Sequence, residues 1–382
     1  MAYLREIATV FTKLGFLAFG GPAAHVAMME DELVEKRKWL DRQHFLDAVA
    51  AVQVVPGPNS TELAIHMGWL RGGLPGLVVA GACFIGPAVL IILPLAWLYV
   101  AGQQGEFRPW LEAIMAGIAP VVLAIIVNAG VRFAQTSCRS AFHIGVAVLA
   151  LPGAWLLTGS PVQPEIAVLA VAAALGVAHA KLPTLAVALP ATLPVVTDEP
   201  TLLKLATFML IVGGTLFGSG YVLVSYLDTG LVRNLGWLTE TQLLDAIAIG
   251  QTTPGPLLTT STFVGYLIGA QTPGMDPITA ALLATAAMFA PALILVAVFG
   301  PVLEKMRRHR LASSALAAMN AAVVGLIALV AVRLAGTVRT DWLAITIAAA
   351  ALGLLLWKKP NATWLILAGA IVGVGRGYFT IP

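Results

Sequence analysis

Eight runs of apolar residues, at 74–100, 111–131, 141–157, 165–180, 277–302, 311–332, 342–357 and 363–374, limit what this chain can fold into. Each is close to, or slightly short of, the ~20 residues a helix needs to cross the hydrocarbon core of a bilayer. A ninth, shorter run at 183–196 precedes the polar patch Thr197–Asp198–Glu199–Pro200. Only 11% of the 382 residues are charged and the mean hydropathy is +0.90, which leaves too little polar surface to wrap a water-soluble globule. The expectation is an all-α polytopic membrane protein with lipid as its main solvent. The net charge of +3 is small, and no nucleic-acid partner is expected. An apolar run near residues 7–21 resembles a signal-peptide core, but Lys13 interrupts it, and it is read as part of the mature chain. Cys83 and Cys138 stand alone in apolar surroundings, which argues for free thiols and against a disulfide framework or a zinc site.

Two further stretches in each half are not simple spans. In the first half, 7–29 is broken at Phe19–Gly20–Gly21–Pro22 and 45–70 at Pro56–Gly57–Pro58. Proline removes a backbone donor and clashes with the preceding turn, so these stretches are read as pairs of half-helices. A shift of 198 residues then lays the sequence on itself without a gap. Phe19–Gly20 falls on Phe217–Gly218, Trp39–Leu40 on Trp237–Leu238 and Asp47–Ala48 on Asp245–Ala246. Gln53 falls on Gln251, Pro56–Gly57–Pro58 on Pro254–Gly255–Pro256, and Thr61 on Thr259. From Phe19 to Thr61, 16 of 43 positions are identical, against about three or four by chance in so biased a composition. The matching residues are Trp, Asp, Gln, Pro and Gly, so apolar low complexity does not explain them. Later the match loosens, and Pro87–Ala88 reaches Pro291–Ala292 only after a six-residue insertion. The chain divides into a first repeat at 1–182, a connecting segment and linker at 183–203, and a second repeat at 204–382.

Basic residues give the orientation, because Lys and Arg concentrate in cytoplasmic loops. Lys36, Arg37, Lys38 and Arg42 crowd one loop of the first half, whose counterpart carries only Arg233. Lys305, Arg307, Arg308 and Arg310 crowd a loop of the second half, whose counterpart carries only Arg108. A bias swapped between halves is what an inverted-topology repeat requires. With the N-terminus cytoplasmic and the broken stretches re-entrant, 16 of the 22 basic residues lie at the inner face; if every broken stretch spanned, 13 would. The preferred arrangement therefore has nine crossings and four broken elements, about 13 segments.

Irregular backbone at membrane depth is tolerated only where protein buries it or a watery cavity meets it, and inverted-repeat transporters hold substrate at such breaks. New half-helices start at Asn59–Ser60–Thr61 and near Leu257, with Thr259, Thr260 and Ser261 in the first turn. Helix N-termini expose unpaired amides and attract anions. The hydroxyls of Ser60, Thr61, Thr259 and Thr260 add donors. The candidate substrate set is Gly20, Gly21, Gln53, Pro56, Gly57, Asn59, Ser60 and Thr61 in the first half, with Gly218, Ser219, Gly220, Gln251, Gly255, Thr259 and Thr260 in the second. Each has an ordinary alternative: capping for the hydroxyls, close helix packing for the glycines, and interhelical bonds for the glutamines. Arg71, Arg132 and Arg333 are the alternative anion ligands, through their guanidinium groups.

His25, Glu30 and Glu62 are ionisable residues in apolar surroundings and the candidates for proton coupling. His25 and Glu62 align with Leu223 and Thr260, so they would act in one half only. Asp47 and Asp245 are symmetry mates beside loops, where a solvated helix-end role fits as well. No catalytic motif, Walker loop or paired-cysteine metal site is present in the sequence, so no enzyme activity, cofactor or metal is expected.

The Phe19–Gly20–Gly21–Pro22 break, the loop ending in Trp39–Leu40, and Val55–Pro56–Gly57–Pro58 resemble the signature of the chromate ion transporter (CHR) family. The second copy, Phe217–Gly218–Ser219–Gly220 through Trp237–Leu238 to Thr253–Pro254–Gly255–Pro256, is similar to the long, two-domain members, and the likeness covers nearly the whole chain. The resemblance implies a secondary transporter that exports chromate across the bacterial inner membrane, driven by the proton gradient as an antiporter and conferring chromate resistance. Sulfate, a tetrahedral analogue, is implied as a competitor. A carrier for sulfate or another anion and a channel-like anion pore are the alternatives. The expected partners are chromate, sulfate, protons, the lipid bilayer and a second copy in a homodimer. The second break reads Gly–Ser–Gly where the first reads Gly–Gly–Pro, so the halves need not contribute equally.

The swapped basic bias places loop 30–42 in the cytoplasm and 228–241 in the periplasm. Lys38→Cys and Gly236→Cys, introduced singly into a cysteine-free background, should differ in labelling by an impermeant maleimide, with Gly236→Cys labelled from outside. Equal labelling of both from outside would end the inverted reading.

Overall fold

Apolar runs bounded by prolines, glycines and capping side chains become helices along the whole chain. The computed structural model describes residues 2–19, 21–159, 163–180, 199–300, 310–338, 341–358 and 360–380. Gly20, the connecting run 183–196, and Lys305, Arg307 and Arg308 lie outside the described residues. The first half contributes α1 (Ala2–Leu17), α2 (Pro22–Glu30), α3 (Arg42–Ala51), α4 (Ser60–Gly102), α5 (Arg108–Ser137), α6 (Ala141–Leu156) and α7 (Pro164–His179). The second contributes α8 (Leu202–Thr215), α9 (Val222–Leu227), α10 (Glu240–Thr252), α11 (Thr260–Gln271), α12 (Pro277–Phe299), α13 (Arg310–Val338), α14 (Trp342–Trp357) and α15 (Ala362–Thr380). No strand occurs among the described residues.

The protein is an all-α polytopic membrane protein. Among the described residues, five helical stretches are long and apolar enough to cross a bilayer: α4, 105–137, α12, α13 and 362–379. Leu90, Leu156 and Ile371 point outward and are 68%, 80% and 71% exposed, a side-chain choice that suits lipid and not water. Trp342 and Trp357 stand at the two ends of α14 and are both well exposed, as amphipathic rings at the two edges of a bilayer would be. Polar caps start the helices. The Asp41 carboxylate accepts from the His44 amide at 2.9 Å, which, helped by the His44 ring, holds it below the ordinary carboxylate range.

The long α4 is two helices joined at a kink, where Gly72 and Gly73 leave helical geometry and Gly73 takes a φ of 60°. With that division the element order of the first half recurs in the second. Local bonding recurs as well. The Trp39 amide donates to Leu33 O and the Trp237 amide to Leu231 O, each at 2.8 Å, closing the wide turns Asp31–Lys36 and Asp228–Asn234.

Packing follows the same pairing. α1 lies along α4 and α8 along α12, while α5 packs against α14 and α15, and α13 against α6 and α7. The halves thus exchange their central long helices. Small residues make this exchange close: Gly117 of α5 meets the backbone of Gly369 and Gly373 on α15, and Gly176 of α7 meets Ser314 and Ala318 on α13. A Cβ at Gly117 would overlap Gly369 O, whereas one at Gly86 would meet open space. Gly117→Val should therefore cost ~1–3 kcal/mol through overpacking and lower the melting temperature of the detergent-solubilised protein, with Gly86→Val close to wild type.

Candidate functional site

Proline on both sides leaves glycine as the single N–H donor of each Pro–Gly–Pro break. Both donors are used, each by the opposite half. The Gly57 amide donates to Leu216 O at 2.6 Å, and the Gly255 amide donates to Ala18 O at 2.9 Å. Ala18 and Leu216 are themselves equivalent under the 198-residue shift, so the two bonds form a reciprocal pair at the centre of the molecule. Gly57 and Gly255 take φ values of 140° and 107°, where an L side chain is strained. Gly220 lies against Pro58 of one break and Leu257 of the other, so the two breaks adjoin.

At the first break, α2 lays His25 across the end of α1 and the start of α4. His25 Nε2 is 3.0 Å from Ala18 O, and Nδ1 is 3.2 Å from Ser60 Oγ. A carbonyl only accepts, so Nε2 carries the proton, and in the neutral ring Nδ1 accepts from the Ser60 hydroxyl. Thr61 is fully buried with an unpartnered hydroxyl. Glu62 is also fully buried, its carboxyl packed against Gly57 so closely that a Cβ there would overlap Oε1. Neither Glu62 oxygen has a hydrogen-bond partner of good geometry. Asn59 is half-buried beside it, with a φ of 67°.

The second break opens onto a cavity of about 300 Å³, room for roughly ten waters. Gly21, Gln251 and Gly255 line it together with Asn128, Arg132 and Tyr221. Asn128 is 7% exposed with an unpartnered Oδ1, and Gln251 Nε2 is likewise unpartnered. Asn128 and Arg132 are one turn apart on α5 and share a face. Thr259 and Thr260 point elsewhere: their hydroxyls donate to Pro256 O at 2.6 Å and Leu257 O at 2.8 Å, within their own turn. Ser219 accepts from the Tyr221 amide at 3.3 Å, and Gly218 abuts Phe133 and Asn320.

Several sequence candidates stand apart. Gln53 is exposed, unlike its mate Gln251. Glu30 is held by Arg42 at 2.9 Å beside the basic loop. Arg71 pairs with Glu6 at 3.0 Å and stacks over Trp39, and Arg333 pairs with Asp228 at 3.0 Å and stacks over Trp155. Asp228 and Glu165 are buried, with Glu165 accepting from Ser225 at 2.9 Å, so Arg333 belongs to a network that fastens α9 to α13. Among these three arginines, Arg132 alone faces the cavity.

The solvated reading of Asp245 is corrected. It is 3% exposed and accepts from the Tyr99 hydroxyl at 2.6 Å, because α5 and α11 cover α10 while α3 keeps an open face. Asp47 stays half-buried on α3 near Gln43. Asp245 and Tyr99 line a second cavity, of about 510 Å³, at the other end of α5. Asn128, Tyr221 and this Asp245–Tyr99 pair were missed; an Asn in an apolar run, four residues before an Arg, was the available signal for the first.

A bundle of apolar helices organised around paired central breaks beside a polar cavity has the architecture of a membrane transporter. The chain belongs to the chromate transporter family, whose profile matches residues 5–178 and again 203–374. It is 29% identical to the chromate transport protein of Cupriavidus metallidurans over 97% of this chain and 92% of that one. It is 30% identical to the chromate transport protein of Pseudomonas aeruginosa over 95% and 90%. A probable chromate transport protein of Synechococcus elongatus is 29% identical over 85% and 83%. No solved structure matches the chain.

The contact between Gly57 and Glu62 can be tested directly. Gly57→Ala should destabilise by ~1–3 kcal/mol, from strain at positive φ and the collision with Glu62. Adding Glu62→Ala should recover part of that loss in a double-mutant thermal-melting cycle. Gly255→Ala, which meets Ala88 instead, should show no coupling to Glu62→Ala.

Proposed function

We propose that this protein is a secondary transporter that exports chromate across the bacterial inner membrane, with its N-terminus cytoplasmic and its two halves inverted. The observation that carries this reading is the cavity where Arg132, Asn128 and Gln251 meet the second break at Gly255. A dianion has to exchange its hydration shell for donors before it can cross lipid. One guanidinium, the unpartnered Gln251 amide N–H and a half-helix terminus make up such a set. Sulfate, with the same tetrahedral oxygens, is the expected competitor. Support for the inverted arrangement comes from the swapped basic bias, while the reciprocal bonds Gly57–Leu216 and Gly255–Ala18 support a two-fold relation between the halves. Proton coupling at the first break has its support in the buried His25 and Glu62. An assembly of two copies remains part of the proposal.

Chromate uptake into inverted vesicles, with and without a pH gradient and with sulfate as competitor, tests this reading. Accumulation against the chromate gradient that collapses with the pH gradient is the expected result; purely dissipative flux would indicate a pore instead. Arg132→Gln should weaken the apparent chromate affinity by ~10–100-fold, the range for losing a hydrogen bond to a charged group, while Arg71→Gln stays near wild type. Unchanged affinity in Arg132→Gln would move the substrate elsewhere.

A further inference from the structure

Arg132 and Arg333 occupy the same place in the repeat. The shift of 198 residues that aligns the breaks becomes 201 along α5 and α13, where Val131–Arg132 falls on Val332–Arg333, Val122 on Val323 and Ile126 on Ile327. Packing agrees with that register. Gly373 of α15 lies against Ala113 of α5, and Gly176 of α7 lies against Ser314 of α13, the residue 201 beyond Ala113. Glu30 and Asp228 are likewise equivalent under the shift of 198, each at the entry to its half's wide turn.

These equivalent residues are held in opposite ways. In the second half α9 is buried along its whole length and packs on α13. The Arg333 side chain is only 7% exposed, and it donates to Asp228 at 3.0 Å and to the Thr158 hydroxyl. In the first half α2 packs along α4 rather than α5. There the cavity that Gly21 shares with Asn128 occupies the seam, Arg132 faces it, and Glu30 is paired with Arg42 instead. One half is closed over its arginine and the other is open.

A fold made of two inverted repeats is the same fold, facing the other way, when its halves exchange such arrangements. We propose that Arg333 is a second oxyanion ligand, masked in this state: when α9 parts from α13 and α2 closes on α5, Arg333 turns from Asp228 to the tetrahedral dianion on its way out, and Glu30 takes up Arg132. This rests on the reading that the halves are inverted and that chromate binds beside Arg132. Breaking a buried ion pair ordinarily strands a charge at great cost. Here Asp228 Oδ2 is held at 3.0 Å by Arg233 as well as by Arg333, so the carboxylate keeps a partner when Arg333 leaves. The guanidinium in turn exchanges one oxyanion for another, and its paired N–H groups suit both. Thr337, one turn beyond Arg333 on the same face of α13, already lines the second cavity, so the freed group stands one turn from the exit side.

Counterflow in inverted vesicles reads the two faces separately, because the lumen then corresponds to the outside of the cell. Labelled chromate entering against unlabelled chromate in the lumen gives a half-saturation concentration for each face. Arg333→Gln should raise the lumenal value about tenfold or more, the effect of losing a hydrogen bond to a charged group, with a smaller change at the cytoplasmic face. Asp228→Asn should lower the lumenal value, because it unmasks Arg333. Arg132→Gln should act mainly at the cytoplasmic face. A network that merely fastens α9 to α13 makes Arg333→Gln and Asp228→Asn shift the lumenal value in the same direction. That result, or an unchanged lumenal value in Arg333→Gln, overturns the proposal. If Arg333→Gln does not fold, the double variant Asp228→Asn with Arg333→Gln removes both charges together and carries the same expectation. An unchanged cytoplasmic-face value in Arg132→Gln is a different failure: it sinks the cavity assignment itself and takes this proposal with it.

Discussion

Two backbone hydrogen bonds, Gly57 to Leu216 and Gly255 to Ala18, hold the rest of this structure in place. Broken helices inside a membrane leave amides and carbonyls that lipid cannot satisfy, and each orphan costs several kcal/mol. Here each half supplies what the other lacks: the donor of one break meets the carbonyl at the frayed end of the other half's first helix. Neither half can close its own break, so the two must assemble face to face. The exchange of α5 and α13 between the halves and the glycine contacts that bring them close follow from that requirement.

Much of this was legible in the sequence, because lipid imposes a simple code. The apolar run 342–357 is α14 to the residue, and 141–157 and 165–180 match α6 and α7 to within a residue at each end. The breaks were legible because proline and glycine announce them chemically. What sequence could not supply was the partner of each group. Gln53 and Gln251 are identical residues at equivalent positions, yet one is exposed and the other lines a cavity. Asp47 and Asp245 diverge in the same way, since burial depends on whether α5 and α11 cover the helix. The threonines at the second break were read as donors; the tight turn claims their hydroxyls first.

The arginines show how few charges such a protein can leave uncommitted. Arg71 and Arg333 both lie against an aromatic face and a carboxylate, a combination that removes most of the cost of holding a guanidinium beside lipid. Arg132 has no ion pair among the described residues and stands beside unpartnered side-chain amides instead. A cation held that way has its attraction available for a ligand, whereas a paired one has already used it.

The two cavities add a direction to this picture. Both run along α5 and α10: Arg132, Asn128 and Gln251 border one, and Arg108, Glu112 and Asp245 border the other. Between them lies a plug of buried side chains, Val121, Val122 and Ala124 on α5 with Ala246, Ile247 and Ala248 on α10, spanning roughly 7 Å of helix. Their charged groups differ. In the second cavity Arg108 is neutralised by Glu112, and Asp245 is buried and accepts from the Tyr99 hydroxyl. In the proposed orientation the Arg132 cavity opens to the cytoplasm and the cavity of Tyr99 and Asp245 to the outside. On the proposed export, a dianion would meet the one cavity-facing arginine of the three on the cytoplasmic side, and the buried plug between α5 and α10 is what separates that cavity from the other.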